Sequence, residues 1–341
     1  MKKPNEPLRS ASQRALAAVV TPEFAQAAAA LWEAKSTLPE PLHAVQNFVF
    51  AIERPAGPAI LRLTHESHRS PDQVEAELRW ILDLAERGLA VAKPYRSNND
   101  AWLETVASSN GQFIATCFER LANIEPSSDD PASWDEQLLK NLGSTIAKLH
   151  RASREAAWDP AALLRPSWRQ ESVVRNFHSL VPASEAAIHR AYDRVLAELD
   201  SLPRSPDSYG LIHADLNDSN FFLTGEGANV FDFDDSCYGW FAFDLIVPIF
   251  HFPTADQATM DAAAQRALRW LVRGYERVSR FNRTWFEWLP LFLKWRDLIT
   301  YGFFYEQLEI AALPDTLRQT FLGMRARIEA DQPIANLGPA G

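Results

Sequence analysis

The sequence predicts an α+β chain, with a small β-rich part near the N-terminus and a larger, mostly helical part after it. Three observations predict it. Two runs rich in β-branched and aromatic residues, AVQNFVFAIE and AILRLTH, are separated by the turn RPAG. From residue 254 onward, apolar residues recur at helical spacing. Between these regions, Tyr209 to Leu245 packs a His, an Asn and several Asp residues among short apolar runs, more acidic groups than folding alone requires.

The elements can be justified in order. Thr21, Pro22 and Glu23 supply an N-cap, a first-position Pro and an early acid, so a helix is expected to start there and run through the alanine-rich segment to Lys35. The two β-rich runs follow as adjacent antiparallel strands. Ser70 and Pro71 open a second helix with Leu78, Ile81, Leu82 and Ala85 on one face, and Gly88 stops it. Trp102 to Val106 reads as a strand, and FIATCFERLANIEP as a strand running into a polar connection; PSSDDPAS is a loop. Ser133 and Glu136 have capping-box spacing for a long helix with Leu138, Leu142, Ile146 and Leu149 on its apolar face. His150 closes that helix and is read as a packing residue. Residues 154–182 form an irregular insertion with short helices, and Ser184 to Leu202 a further amphipathic helix.

In the central stretch, Leu211 and Ile212 lead into a polar loop, and two short runs, Phe221 to Leu223 and Val230 to Phe233, flank the turn TGEGAN. A β-hairpin results. Asn220 precedes its first strand and Asp232 falls within its second, so closure brings two oxygen ligands to the open end. Mg²⁺ takes only one or two protein oxygens alongside substrate phosphates, which is what this arrangement offers. Asp215 is left free to accept a hydroxyl proton.

The spacing His213-x-Asp215-x4-Asn220, followed by DFD at 232–234, resembles the catalytic loop and metal-binding Asp of protein-kinase-like phosphotransferases. The spelling is similar to that of the aminoglycoside phosphotransferase, choline kinase and homoserine kinase group, because Ala214 replaces the Arg of protein kinases and Asp234 the Gly. LGSTIAKLH, ending at His150, resembles a helix of the same group. The resemblance implies a bilobal protein-kinase-like fold that uses ATP, or GTP, with Mg²⁺ to phosphorylate a small-molecule hydroxyl. Residues 1–40 would be a helical extension, 41–118 a nucleotide-binding lobe and 119–341 a catalytic and acceptor-binding lobe.

Residue by residue, Asp215 and His213 would be catalytic, Asp215 as base and His213 as its support, bonded to backbone near Asp232. Asn220 and Asp232 would hold the metal, Asp234 would add a second metal contact, Asp235 would cap the following turn, and Asp244 would be structural. Asn47 would lie beside the phosphate loop and Arg62 on the phosphates, paired with Glu77 or, as the alternative, Glu75. Arg62 as an exposed strand cation is the other reading. Phe118, Glu119 and Leu121 would sit at the hinge that holds adenine. No GxGxxG precedes Arg62, so phosphate contacts would fall to the backbone of His43 to Asn47 and to Arg62. Trp288, Trp295, Arg296, Tyr301 and Tyr305 are candidate acceptor contacts. The competing readings are a Ser/Thr protein kinase, a binding-only pseudokinase and a metal-dependent hydrolase.

Composition bounds the partners. A chain of 341 residues that is 47% hydrophobic, with 11 Trp and 20 Phe, can bury a core large enough for two lobes. A net charge of −10 argues against nucleic acid and suits a cationic acceptor. The two cysteines form no CxxC, so neither a disulfide framework nor a zinc site is expected and a reducing cytoplasm fits. The apolar run from Ala15 to Val20 is too short for a signal peptide, and no segment has the roughly 18 apolar residues of a membrane span. Oligomeric state is left open.

Overall fold

The computed structural model describes residues 9–34, 38–42, 45–121, 134–156, 164–223, 227–250 and 257–337. An antiparallel sheet forms the N-terminal region: β1 (Glu40–Pro41), β2 (Phe48–Arg54), β3 (Gly57–His65), β4 (Pro94–Tyr95), β5 (Glu104–Ser108) and β6 (Gly111–Glu119), in the order β1-β2-β3-β6-β4 with β5 also on β6. The β2–β3 hairpin turns where expected, pairing Arg54 with Gly57. β5 begins two residues later than the sequence suggested.

Alternation along β3 sorts the sheet's two faces. Leu61 and Leu63 pack with Phe48, Phe50 and Phe113 against two helices, α1 (Ala11–Val19) and α2 (Pro22–Ala29). Arg62 and Thr64 point to the opposite face, toward α3 (Pro71–Glu86). Arg62 is only 5% exposed there, which overturns the exposed-cation reading. α2 is capped by Thr21 as expected, but it ends at Ala29 in a 3-10 turn, Ala30–Trp32, closed by Glu33 at φ 55°; Lys35 lies outside the described residues. α1 was not anticipated. α3 follows its sequence signals closely, with a Ser70–Gln73 capping box, Pro71 in the first turn and Gly88 at φ 80° beyond its end.

The C-terminal region is helical: α4 (Glu136–Glu155), two short helices α5 (Ser172–Arg175) and α6 (Phe177–Leu180), α7 (Ala186–Ser201), α8 (Phe241–Phe250), α9 (Gln257–Tyr275), α10 (Trp285–Gln307) and α11 (Asp315–Glu329). Two small antiparallel pairs interrupt it, β7 (Tyr209–Ile212) with β10 (Cys237–Trp240), and β8 (Phe221–Leu223) with β9 (Ala228–Val230). The N-cap of α4 is Asp135, which accepts from Leu138 N at 2.8 Å; the PSSDDPAS loop, Ser133 included, lies outside the described residues. Among the described residues no single helix is long and apolar enough to cross a membrane.

α4 and α9 meet through two glycines. A Cβ at Gly143 would overlap the carbonyl of Leu271, and one at Gly274 would overlap that of Lys140. The obstacle is backbone in both cases, so the helices themselves would have to separate. Gly143→Ala should therefore lower stability by about 1–3 kcal/mol despite its better helix propensity, read as a lower denaturation midpoint in urea.

Candidate active site

The loop after β7 is held by one carboxylate. Asp244, fully buried in the first turn of α8, accepts from the backbone N–H of His213 at 3.1 Å and of Ala214 at 2.8 Å. Ala214 is thereby kept at φ 66°, a conformation that costs a residue with a Cβ about 1–2 kcal/mol. Asp244 also accepts from His150 Nε2 at 3.1 Å, and His150 Nδ1 meets the Tyr275 hydroxyl at 3.1 Å. Burial pushes the His150 pKa down against the pull of Asp244, so the ring is neutral. His150 is thus the packing residue the sequence suggested.

His213 is also fully buried. Its Nε2 donates to Phe231 O at 3.2 Å, and its Nδ1 accepts from Asp215 N at 3.3 Å. Burial lowers its pKa, outweighing Asp244 and Asp215. A neutral ring enclosed in this way links the loop to the segment after β9.

Asp215 lies at the loop's surface. Its Oδ2 accepts from Asn217 Nδ2 and Asn220 Nδ2, both at 2.9 Å, and its Oδ1 from Arg296 Nη2 of α10 at 2.6 Å. Asn220 Nδ2 also donates to Asp215 O at 2.8 Å. Both amide hydrogens of Asn220 are spent on Asp215, so the group it has left for a cation is its oxygen.

The β8–β9 hairpin closes as expected, with Phe231 N bonding Asn220 O at 3.0 Å. Asp232, however, lies two residues beyond β9 at φ 60°, not within the strand. Its side chain is half exposed and stands 3.8 Å from Arg62 Nη1. Although half of the side chain reaches solvent, the protein packed around the carboxylate keeps water from much of it, and this desolvation together with the nearby Asp234, Glu77 and Asp215 pushes its pKa up to about 7, against the pull of Arg62. A cation would relieve that crowding.

Asp234 is sealed in. Its Oδ2 accepts from His68 Nε2 at 2.6 Å and Asn47 Nδ2 at 3.1 Å, its Oδ1 lies 3.6 Å from Arg69 Nε, and its backbone carbonyl meets Arg165. Burial would raise its pKa, but His68, Arg69 and Arg62 hold it well below the usual carboxylate range. Asn47 also accepts from Thr64 Oγ1 at 2.8 Å. Asp235 meets Arg69 Nη2 at 3.5 Å.

Arg62 and Glu77 form a two-pronged pair, Nη1 to Oε1 and Nη2 to Oε2, each at 2.8 Å and both buried. Glu75 instead pairs with Arg79 at 2.5 Å on the outside of α3. The alternative partner is therefore excluded by helix geometry. The Phe118 ring is 5.0 Å from Arg62 Cζ, Glu119 N donates to Lys93 O at 2.8 Å, and Leu121 is half-buried at the edge of the described residues. His43 and Ala44, where backbone phosphate contacts were expected, lie outside them.

This arrangement invites comparison with known proteins. Residues 40–281 match the phosphotransferase enzyme family, APH. The chain belongs to that family. Among curated proteins, the amicoumacin kinase of Bacillus subtilis (strain 168) is 28% identical over 293 residues, 85% of this chain and 86% of its own. A homoserine kinase of Gluconacetobacter diazotrophicus is 28% identical over 251 residues, covering 69% and 70%. A solved amicoumacin kinase, hAmiN, in complex with AMP-PNP, Ca²⁺ and Ami superposes with a TM-score of 0.86 at 24% identity, covering 95% of this chain and 97% of that one. A microcompartment-associated aminopropanol kinase gives 0.70 at 22%, covering 90% and 95%. At these identities the two structures establish a kinase-like fold, and the family makes the chain a small-molecule phosphotransferase with a hydroxyl acceptor.

Sequence reasoning missed part of this phosphotransferase's site. His68, Arg69, Glu171 and Arg165 form the ionic wall around Asp234, with Arg69 Nη1 bonding Glu171 at 2.9 Å. They come from a turn and an irregular insertion, where no periodicity marks a buried charge. Of the acceptor candidates, Arg296 reaches Asp215, whereas Tyr301 and Tyr305 both bond Glu185, at 2.5 and 2.6 Å. Trp295 packs edge-on against Trp168.

Proposed function

We propose that this phosphotransferase moves the γ-phosphoryl group of ATP, with Mg²⁺, to a hydroxyl of a small molecule. The observation that carries the reading is a chain of close contacts: Asp215 bonds Asn220, the Asn220 backbone carbonyl bonds Phe231 N beside Asp232, and Asp232 stands 3.8 Å from Arg62, which Glu77 holds from the sheet side. Asp215 would orient the acceptor hydroxyl and take its proton; most of the rate would come from positioning. Asn220 and Asp232 would hold the metal, which supplies charge neutralisation on the phosphate oxygens. Arg62, fixed by Glu77, would face those phosphates.

Asp234 and Asn47 would also help to join the sheet to the loop. Their hydrogen bonds run to each other and to His68 and Thr64, whereas Asp234 Oδ1 lies 3.6 Å from Arg69 Nε and makes no hydrogen bond among the described residues, which supports a part in joining sheet to loop through Oδ2 and leaves Oδ1 for the expected metal contact. Phe118, Glu119 and Leu121 remain our proposal for the adenine side, and 1–40, 41–118 and 119–341 for the division of the chain. A hydrolase centre would need several His ligands, and among the described residues no group of three or more His, Cys, Asp or Glu is placed to hold a metal.

Thermal shift tests the reading. Wild-type protein should gain stability with ATP plus Mg²⁺, by about 2.7 kcal/mol at a hundredfold excess over Kd, and Asp232→Ala should lose the Mg²⁺-dependent part. The same experiment with GTP decides between the nucleotides. A rise that does not depend on Mg²⁺, or that survives Asp232→Ala, would remove the metal from Asp232.

A further inference from the structure

The two halves of the proposed phosphate site belong to different parts of the chain. Arg62 and Glu77 come from β3 and α3, whereas Asn220 and Asp232 lie on either side of the β8–β9 hairpin. They make one site only while α3 and the loop after β9 keep their register, and a side chain from outside both reaches in to hold them.

That side chain is Arg165, in the irregular insertion between α4 and β7. It is 4% exposed. Its Nε donates to Ser236 O at 2.9 Å, its Nη1 to Gln73 O at 3.1 Å, and its Nη2 to Asp234 O. Two of these carbonyls flank Asp235 in the loop, and the third lies one helical turn before Glu77 on α3. The insertion is itself anchored where the loop enters β10, since Tyr238 N donates to Pro166 O at 2.9 Å and Ser167 pairs with Tyr238.

A guanidinium suits this task. Its donors leave a rigid plane in fixed directions, so carbonyls on two elements are held at fixed separations. As packing alone the arrangement is costly: among the described residues Arg165 makes no hydrogen bond to a carboxylate, and burial and the neighbouring Arg69 pull its pKa below the usual guanidinium value, against Glu77, Asp234 and Glu171. An apolar side chain would fill the space without burying a charge, but would leave the three carbonyls unpaired. Asn47 and His68 on Asp234, and Arg69 on Asp235, also tie the two parts together, but they grip side chains. Arg165 grips the backbone, and so sets where the left-handed turn at Asp232 presents its carboxylate to Arg62.

We propose that Arg165 is a positioning residue of the metal and phosphate site, holding the Asp232 loop in register with the Arg62–Glu77 pair. The proposal rests on the assignment of Asp232 to the metal and Arg62 to the phosphates. Arg165 itself touches neither group; it acts through the carbonyls of Gln73, Asp234 and Ser236.

The test is how much Mg²⁺ improves nucleotide binding. Calorimetric titration of the full chain gives Kd for AMP-PNP in Mg²⁺ and in EDTA, and the ratio of the two is the metal's contribution, measured without turnover. In Arg165→Lys, whose single nitrogen cannot span three carbonyls, that contribution should fall by about tenfold, the worth of one weakened charged contact. Arg165→Gln, which removes the buried charge and keeps an amide donor, should show the same fall, and it carries the comparison if Arg165→Lys does not fold. A merely structural role would lower the melting temperature and leave the ratio at its wild-type value. A folded variant whose ratio stays within about twofold of wild type overturns the proposal, even if binding weakens equally in both arms. Failure of the underlying assignment looks different: Mg²⁺ would then add nothing to binding by the wild type, or Asp232→Ala would keep the whole of what it adds.

Discussion

Asp215→Asn should reduce phosphoryl transfer by about 10²–10⁴-fold, the usual worth of a general base, while leaving the Mg-ATP thermal shift close to that of wild type. The separation follows from the contacts. Asp215 makes no hydrogen bond to Arg62, Glu77 or Asp232, and its partners are Asn217, Asn220 and Arg296. An Asn side chain is nearly the same size, so the loop keeps its packing. It still accepts through one oxygen but cannot take a proton, and its NH₂ faces either Arg296 or the two asparagines, all donors. Steady-state ADP release and nucleotide-induced melting, measured on the same preparation, check both halves. Turnover near the wild-type rate would remove Asp215 from the chemistry.

Asp244→Ala should be the most destabilising single change among the residues that hold the loop after β7, costing about 3–5 kcal/mol. Removing that carboxylate strands three buried donors at once, the backbone N–H groups of His213 and Ala214 and the Nε2 of His150. None is near enough to bulk water to recover a partner cheaply. The left-handed turn at Ala214 loses the two bonds that fix it, so Asp215 loses its orientation as well. Urea denaturation should show a lower midpoint at unchanged slope, and the fraction that remains folded should release ADP more slowly than wild type. Loss of stability with full activity per folded molecule would mean that another contact sets the loop.

The sequence made the site's centre legible because its spacing is fixed by local geometry. Four residues separate Asp215 from Asn220, and a hairpin turn sets where Asp232 returns. Strand alternation and helix periodicity made β2, β3 and α3 readable, and Glu77 rather than Glu75 follows from which face of α3 meets β3. What stayed hidden is tertiary. That Asp234 would be enclosed by His68, Arg69 and Arg165 depends on a turn, an insertion and a loop meeting in space. That Arg296 would reach Asp215 depends on where α10 crosses the cleft, and periodicity along α10 gives only its apolar face. Asp232 was misplaced by two residues because its apolar neighbours Phe231 and Phe233 imitate a strand, while the backbone has already turned left-handed.

The two glycines between α4 and α9 carry a lesson about how sites of this kind are mapped. In a library of all single substitutions selected for activity, positions 143 and 274 should be as intolerant as Asp215, although neither touches the cleft. The helices they join also bring His150 to Asp244 and Tyr275 to His150, so a methyl group on that seam reaches the catalytic loop through packing alone. Intolerance scores would mark two residues with no functional side chain, and a reader of those scores would have to separate the groups that react from the surfaces that hold them in place.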